Sequence, residues 1–412
     1  MKLLFILRRF PYPSVNGDQV RAYNQLKLLA PNHEITLLTR DQSVRDSKSR
    51  DHIEGLCQRV VTVPRASRFL FPRLALPALR YPFQTALEFD HRLGRAAAKL
   101  ASETVFDIAH VQLARIAPVA ESLPRSMPKV LDLVDALSVN MTRRAERSAG
   151  PLSWLARWEG RRMADYERSL IATYDRLVIA SLSDQAAIGP YSNLTVVPNG
   201  VDVDLFPFSD GPRQPGSIVF SGTMFYFPNV DAACWFAKSI LPAVRRVVPH
   251  AVVSFVGTRP TRAVLALSAE PGIKVTGFVP SVHDHIARAV VAVAPMRSGS
   301  GTQFKVLEAM AAGTPVVGTS LAFAGLDVRD GEEALVADTA GSFAGKVIDV
   351  LTNPADYRQL TLNARDLVER RYNWAVTVSE LEAVYAEATA KGGSNAHSHE
   401  TASVPNDNRS VL

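Results

Sequence analysis

Between two short apolar runs, 290–294 and 315–318, the chain places Arg297, Ser298, Gly299, Ser300, Gly301 and Thr302, then Gln303-Phe304-Lys305-Val306-Leu307-Glu308 and on to Gly313. Short apolar runs bounded by turn residues read as buried strands, so the block parses as strand, glycine loop, helix, strand. Such a loop aims free backbone N–H groups at whatever lies above the helix N-terminus, and the helix dipole favours an anion there. Phosphate fits that chemistry. Lys305 lies one turn into the helix from Thr302 and can reach back toward a bound phosphate; Glu308 follows one turn later, and Arg297 flanks the loop on the strand side. Cations beside an acidic acceptor suit a nucleoside diphosphate whose ribose hydroxyls need a carboxylate. The competing role for Lys305 and Glu308, three apart on one helix face, is a structural salt bridge.

The elements that must position this block repeat one pattern. Strand-like runs at 3–7, 34–39, 59–63, 108–111, 130–133 and 176–180 alternate with helical stretches. The longest of these runs from about Ser153 to Thr173, with Trp154, Trp158 and Tyr166 as packing residues. Alternation of this kind predicts a parallel sheet covered by helices. After Ala180 the pattern loosens through Pro190, Pro198-Asn199-Gly200 and the Pro/Gly-rich stretch 207–216, which reads as a domain linker. A second series of strands follows at 217–221, 251–256, 274–276, 290–294, 315–318 and 334–336. The fold class expected is α/β, with Rossmann-like domains at 1–195 and 196–374. Helices over about 354–371 and 375–388 close the chain; the polar stretch 391–412 has little to bury and is expected to be disordered.

Open α/β sheets bind ligands beyond the carboxyl ends of their strands, and the loops there carry further candidates. The first strand runs into Pro11-Tyr12-Pro13-Ser14-Val15-Asn16-Gly17-Asp18, where Gly17 lets a sugar phosphate approach the backbone. Arg21, a turn further on, either adds positive charge for an acceptor or is a solvated surface arginine. In Leu131-Asp132-Leu133-Val134-Asp135, either carboxylate could orient an acceptor hydroxyl, although alternation puts Asp132 and Asp135 on opposite faces. Asp135 could instead cap a helix. Gly222 and Thr223, after the first strand of the second series, can lend backbone donors. Together these groups suit the breaking of a C–O bond to a diphosphate. Lys305 and Arg297, helped by the 299–302 backbone, would stabilise the charge gathering on the leaving group, each well-aimed donor being worth about 10²–10³ in rate. These segments contain no Asp-x-Asp motif or histidine cluster with ligand spacing, so neither a metal nor a cofactor is assigned.

Lys305 through Val317, K-V-L-E-A-M-A-A-G-T-P-V-V, resembles the nucleotide-sugar signature of the family 4, or group 1, retaining glycosyltransferases. These have two Rossmann-like domains facing each other across a cleft, the GT-B fold. Pro198-Asn199-Gly200-Val201-Asp202 is similar to their interdomain segment, and Gly277-Phe278-Val279 to their strand end beside the base, which implies a donor-binding role for Phe278. Phe106-Asp107-Ile108-Ala109-His110-Val111-Gln112 resembles their D-x-x-H-x-H strand end. The second histidine position, which contacts the donor sugar in the family, is Gln112 here; His110 is either part of the catalytic site or a satisfied core residue. Of the family's E-x-x-x-x-x-x-x-E pair, Glu308 matches the second glutamate and Ser300 stands at the first. The G-x-G-T-x-x-K-x-L-E form is similar to a branch associated with bacterial exopolysaccharide assembly. Many relatives hold the diphosphate with an Arg and a Lys after the second domain's first strand; 222–229 contains neither, which leaves more to Lys305 and Arg297. The resemblance also implies retention of configuration, a donor diphosphate or acceptor at the Gly17 turn, a saccharide or lipid-linked saccharide acceptor, and a last helix, about 375–390, crossing back onto the first domain.

Composition narrows the partners. Forty-six basic against 40 acidic side chains, a net charge of +6, favours anionic partners without demanding nucleic acid. Cys57 and Cys234 are too few for a disulfide framework and point to a reducing, cytoplasmic setting. The apolar run 3–7 is too short for a signal peptide, and no segment approaches the roughly 20 apolar residues of a membrane span. Residues 65–82 interleave four arginines with Phe, Leu and Tyr, which suits either peripheral contact with an anionic membrane at the inner face of the cell or a loop packed on the domain. The rival readings are a nucleotide-sugar epimerase of the same fold and a non-catalytic nucleotide-sugar-binding protein. A dehydrogenase fits less well, because no G-x-G-x-x-G follows the first strand.

Overall fold

The computed structural model describes residues 1–14, 16–41, 47–64, 77–146, 151–299 and 301–397. Ser300, residues 65–76 of the arginine-rich segment and the tail from 398 lie outside them.

Apolar runs such as Leu3-Leu4-Phe5-Ile6-Leu7, all at most 1% exposed, can be satisfied only in a sheet covered on both faces. Two such sheets form. The first has seven strands in the order β3-β2-β1-β4-β5-β6-β7: β1 Lys2–Leu7, β2 Glu34–Asp41, β3 Arg59–Pro64, β4 Ile108–Gln112, β5 Lys129–Val134, β6 Arg176–Ile179 and β7 Leu194–Val196. The second has six in the order β10-β9-β8-β11-β12-β13: β8 Ser217–Ser221, β9 Val252–Val256, β10 Ile273–Gly277, β11 Val291–Ala294, β12 Val316–Gly318 and β13 Leu335–Val336. Every strand pairing within them is parallel, which makes both domains α/β layers of the Rossmann kind. The sequence pattern did not indicate β7. Its three residues are too short to show a period and sit between prolines, yet they pair in register with β6 and straddle the boundary expected at 195/196.

Helix α1, Gly17–Leu29, begins at Asn16, whose backbone and side-chain nitrogens both donate to Gln19 Oε1. Helix α2 is Pro151–Leu170, α3 Phe227–Trp235, α4 Phe304–Ala311 and α5 Trp374–His397. The last is longer than the span of 375–388 expected from its apolar pattern. One face of the first sheet is covered jointly by α1 and α5, through Leu26 and Leu29 and through Val378, Leu381 and Tyr385. Trp154 and Trp158, expected to pack, are 69% and 44% exposed; α2 instead buries Glu159, Met163 and Leu170.

The two domains are joined where α1, β5 and the linker meet. Arg21 and Asp132 are both fully buried. Arg21 Nε donates to Asp132 Oδ2 at 2.6 Å, Nη1 to the Pro198 carbonyl and Asn199 Oδ1 at 3.1 and 3.0 Å, and Nη2 to the Val197 carbonyl at 2.9 Å. Gln25 adds a 2.9 Å bond to the same carboxylate. This corrects the acceptor-binding expectation for Arg21 and Asp132. Every guanidinium nitrogen is engaged inside the protein, so the pair fixes the linker and has nothing to offer a ligand. Beyond that anchor the returning chain runs alongside: Val201 N–H donates to the Tyr372 carbonyl at 2.7 Å, and Trp374 N–H to the Val201 carbonyl at 3.4 Å. Gly200 is required there, because a Cβ would stand 2.7 Å from the Trp374 nitrogen. Removing one partner of a buried ion pair strands the other, at about 3–5 kcal/mol. Arg21→Ala should therefore lose about that much stability in urea denaturation, whereas a loss within error of zero would show that the linker is held by other contacts.

Candidate active site in the cleft

The loop between β11 and α4 turns on Gly299 (φ 117°) and Gly301 (φ 67°), backbone conformations that residues with a Cβ rarely adopt. It lies between the domains. A Cβ on Gly301 would be 3.8 Å from that of Asp135, and one on Gly17 would be 3.4 Å from the Phe304 ring. The loop also rests on the start of α3, Pro228 lying 3.6 Å from the Cβ position of Gly299. Two helix N-termini thus converge, and neither the Gln303 nor the Tyr226 side chain caps its helix. Their leading N–H groups carry the positive end of two helix dipoles into one place.

Gly222 sits at that place. A Cβ there would be 2.8 Å from Asn229 Nδ2 and 3.3 Å from Lys305 Cε, and one on Gly257 would fall 1.8 Å from the Gly222 carbonyl oxygen. The ends of β8 and β9 therefore touch backbone to backbone. Asn229 Nδ2 donates to the Thr223 carbonyl at 3.0 Å. Asn229 Oδ1, Ser298 Oγ and Thr302 Oγ1 are buried with no hydrogen-bond partner. Buried polar atoms normally find partners, so this cluster has unused capacity for a polar ligand.

Lys305 is half-buried, donates to Gln303 Oε1 at 2.9 Å and lies 5.6 Å over the Phe220 ring. Burial pushes its ammonium down to about 8, with Glu308 opposing. Burial likewise pushes the Glu308 carboxyl up to about 7, against the pull of Lys305. No ion pair joins the two among the described residues, so the salt-bridge alternative is not what the geometry shows, and Glu308 keeps both oxygens for a ligand. At the rim, Phe278 is 76% exposed beside Gly277.

Other candidates fall elsewhere. Arg297 is paired with Asp231 of α3 and lies 5.2 Å over the Trp235 ring. It fastens the loop to α3 with its charge already met by a carboxylate, which argues against its catalytic assignment. His110 is also corrected. It is fully buried, stacks on Phe5 at 4.1 Å and meets the Tyr385 hydroxyl of α5 at 2.8 Å through Nδ1. Desolvation pushes it down to about 4, so it is a neutral residue held in the core, with Nε2 unpartnered among the described residues. Gln112, two residues on along the same strand face, is 3% exposed with Nε2 unpartnered at the carboxyl end of β4. Asp135 accepts from Asn140 Nδ2 at 2.7 Å and raises the Tyr226 hydroxyl from across the cleft, after the larger effect of burial. Ser300 is not among the described residues.

Sequence reasoning missed Asn229 and Arg115. Residues 222–229 were searched for cations, and a neutral amide does not register in such a search. Arg115 follows β4 without a motif, and only the fold brings it to the cleft.

An ammonium titrating near 8 is charged below that pH and neutral above it. A bound diphosphate favours the charged form, so affinity for a nucleoside diphosphate should be full below about 8 and decline as pH rises through it. Calorimetric titrations on both sides of that value would show the decline in wild type and its disappearance in Lys305→Met. An equal slope in both proteins would remove Lys305 from the anion site.

Comparison with known proteins agrees with this geometry. Residues 215–353 match the family described as Glycosyl transferases group 1. The chain is similar to glycogen synthase of Mycobacterium tuberculosis, 25% identical over 416 residues that cover 94% of this chain and 95% of the relative. In fold it resembles sucrose-phosphate synthase from Thermosynechococcus elongatus, with a TM-score of 0.72 at 16% identity, covering 95% of this chain and 100% of that one. It also resembles Anabaena HepE in complex with UDP and glucose, with a TM-score of 0.65 at 15% identity, covering 94% and 99%. With two Rossmann-like domains of the GT-B fold and a second domain that matches the group 1 family over residues 215–353, the chain is a glycosyltransferase.

Proposed function

We propose that this enzyme takes its sugar from a nucleotide diphosphate donor and passes it, with retention, to a saccharide or lipid-linked saccharide acceptor in the assembly of a bacterial cell-surface or secreted polysaccharide. The observation that carries the reading is the convergence of Lys305 and two uncapped helix starts near Gly222, with Phe304 and Gly301 of the same loop and helix facing Gly17 and Asp135 of the first domain. As the anomeric bond breaks, charge collects on the diphosphate; aligned N–H groups and an ammonium in a partly desolvated site stabilise it most at that moment. Glu308, one turn along α4, takes the ribose hydroxyls, and Phe278 offers the base an aromatic face. The Anabaena protein, solved with UDP and glucose, supports a uridine diphosphate sugar as the donor class. Retention and the polysaccharide setting rest on the sequence resemblance. Internal return on one face of the sugar would need no protein nucleophile.

Calorimetry with a panel of nucleoside diphosphates and nucleotide sugars tests the assignment. At least one should bind wild type, and Lys305→Ala and Glu308→Ala should each weaken it about tenfold or more. Unchanged affinity in both variants would defeat the reading.

A lipid-linked acceptor places the enzyme at the cytoplasmic face of the membrane. No helix among the described residues is long and apolar enough to cross a bilayer, so contact would be peripheral. Leu79 (82% exposed), Phe83, Trp154, Leu155 and Trp158 stand out from the first domain beside exposed Arg80, Arg157 and Arg161. Arg162 ties the two segments together by donating to the Ala78 and Tyr81 carbonyls, both at 2.7 Å. Aromatic and basic groups side by side match the interface of an anionic bilayer. In vesicle flotation, the Trp154→Ser/Trp158→Ser double variant should bind phosphatidylglycerol vesicles less than wild type while keeping its nucleotide affinity. Absence of wild-type flotation at low salt would exclude the contact.

A further inference from the structure

Four arginines gather at the carboxyl edge of the first sheet: Arg8 and Arg9 after β1, Arg40 on β2, and Arg115 just after β4. Two carboxylates serve the first three. Glu88 is bonded by Arg8 at 3.1 Å and paired with Arg40; Asp18 lies 3.0 Å from Arg9 and 3.8 Å from Arg8. Burial raises the Asp18 carboxyl, with Arg8 and Arg115 opposing that shift. Arg115 differs from the others. Its Nε donates to the neutral Gln84 Oε1 at 2.9 Å, and among the described residues no carboxylate comes within ion-pair distance of it. It is nonetheless half-buried, and it feels the like charge of Arg8 as well as Asp135 and Asp18. A guanidinium held by one nitrogen, largely desolvated and in contact with no carboxylate among the described residues, is costly in the empty protein. Its terminal nitrogens form the planar fork that matches phosphate or carboxylate.

Arg115 also lines a cavity of about 300 Å³ between β2, the helix His91–Glu103 and the turn after β4, together with Arg40, Glu88 and Arg95. That volume is at the lower end of small-ligand pockets. The charge of Arg115 also reaches Tyr226 of the second domain, where it opposes the effect of burial on that hydroxyl.

We propose that Arg115, backed by Arg8, Arg9 and Arg40, receives a negatively charged group carried by the acceptor, a phosphate or a carboxylate near the hydroxyl that accepts the sugar. This deepens the transferase reading above and rests on it for the word acceptor; the anion site itself does not. The charge would orient the acceptor by a bidentate contact, and neutral saccharides would lack that anchor.

Calorimetry on the full chain saturated with UDP, and again without nucleotide, tests this with glucose 6-phosphate, glucuronate and glucose as probes. At least one of the two anions should bind and glucose should not; which of them binds separates phosphate from carboxylate. Arg115→Ala and Arg115→Gln should weaken that binding on the order of tenfold or more, Arg115→Lys less so, and Arg125→Ala, an exposed arginine elsewhere, not at all. Unchanged thermal midpoints would show that the variants fold. The proposal is overturned if neither anion binds better than glucose, or if Arg115→Ala leaves the affinity intact. It is equally overturned if Lys305→Ala and not Arg115→Ala abolishes binding, because the anion then sits in the diphosphate site. Loss of UDP binding with anion binding intact would count against the transferase reading alone.

Discussion

The join between the two domains is organised around one buried guanidinium. Arg21 binds the Asp132 carboxylate on one side and three linker acceptors on the other, so the helix after the glycine turn, the centre of the first sheet and the exit of the chain toward the second domain are set by a single planar group. A lysine could not do this, having one nitrogen where four acceptors in different directions must be met. The cost of desolvating the charge is offset only because Asp132 is buried with it and each guanidinium nitrogen is bonded. Gly17 and the start of α1 are thereby placed opposite Phe304 and the start of α4.

The second domain handles charge differently. There the aim is an unsatisfied surface: two helix starts without side-chain caps, three buried oxygens without partners, and an ammonium and a carboxyl whose pKa values burial has drawn toward one another. Arg21 and Asp132 complete their bonds before a ligand arrives; the groups around Gly222 are left incomplete where a ligand would enter. That contrast distinguishes the framework from the site more clearly than residue type does.

The same contrast explains what could be read from the chain. The strand, loop and helix around Lys305 and Glu308 were legible because their parts are neighbours in sequence and their spacing carries the geometry. All six strands of the second sheet were legible for a similar reason, most of them being short apolar runs. Arg21 and Arg297 were misjudged because their partners are remote: Asp132 is 111 residues from Arg21 and Asp231 is 66 from Arg297. No local pattern says whether an arginine has such a partner. His110 lost its assignment to α5, which closes over it from 275 residues away. Trp154 and Trp158 show the converse, since apolar type was taken for burial, and only the packing of α2 reveals that its inward face is made by Glu159, Met163 and Leu170.

Where Gly200 lies against Trp374, the outgoing and returning strands of the polypeptide pass side by side. Two covalent tethers crossing at one spot behave mechanically as a single pivot: they resist separation of the lobes while leaving rotation about the crossing comparatively unopposed. Any swing of one lobe against the other is then largest at the far lip of the cleft and smallest beside the crossing. Phe304, whose ring centre is 6.4 Å from that of Trp374, lies close to the axis. The start of α4 would thus stay nearly still while the outer rim travels.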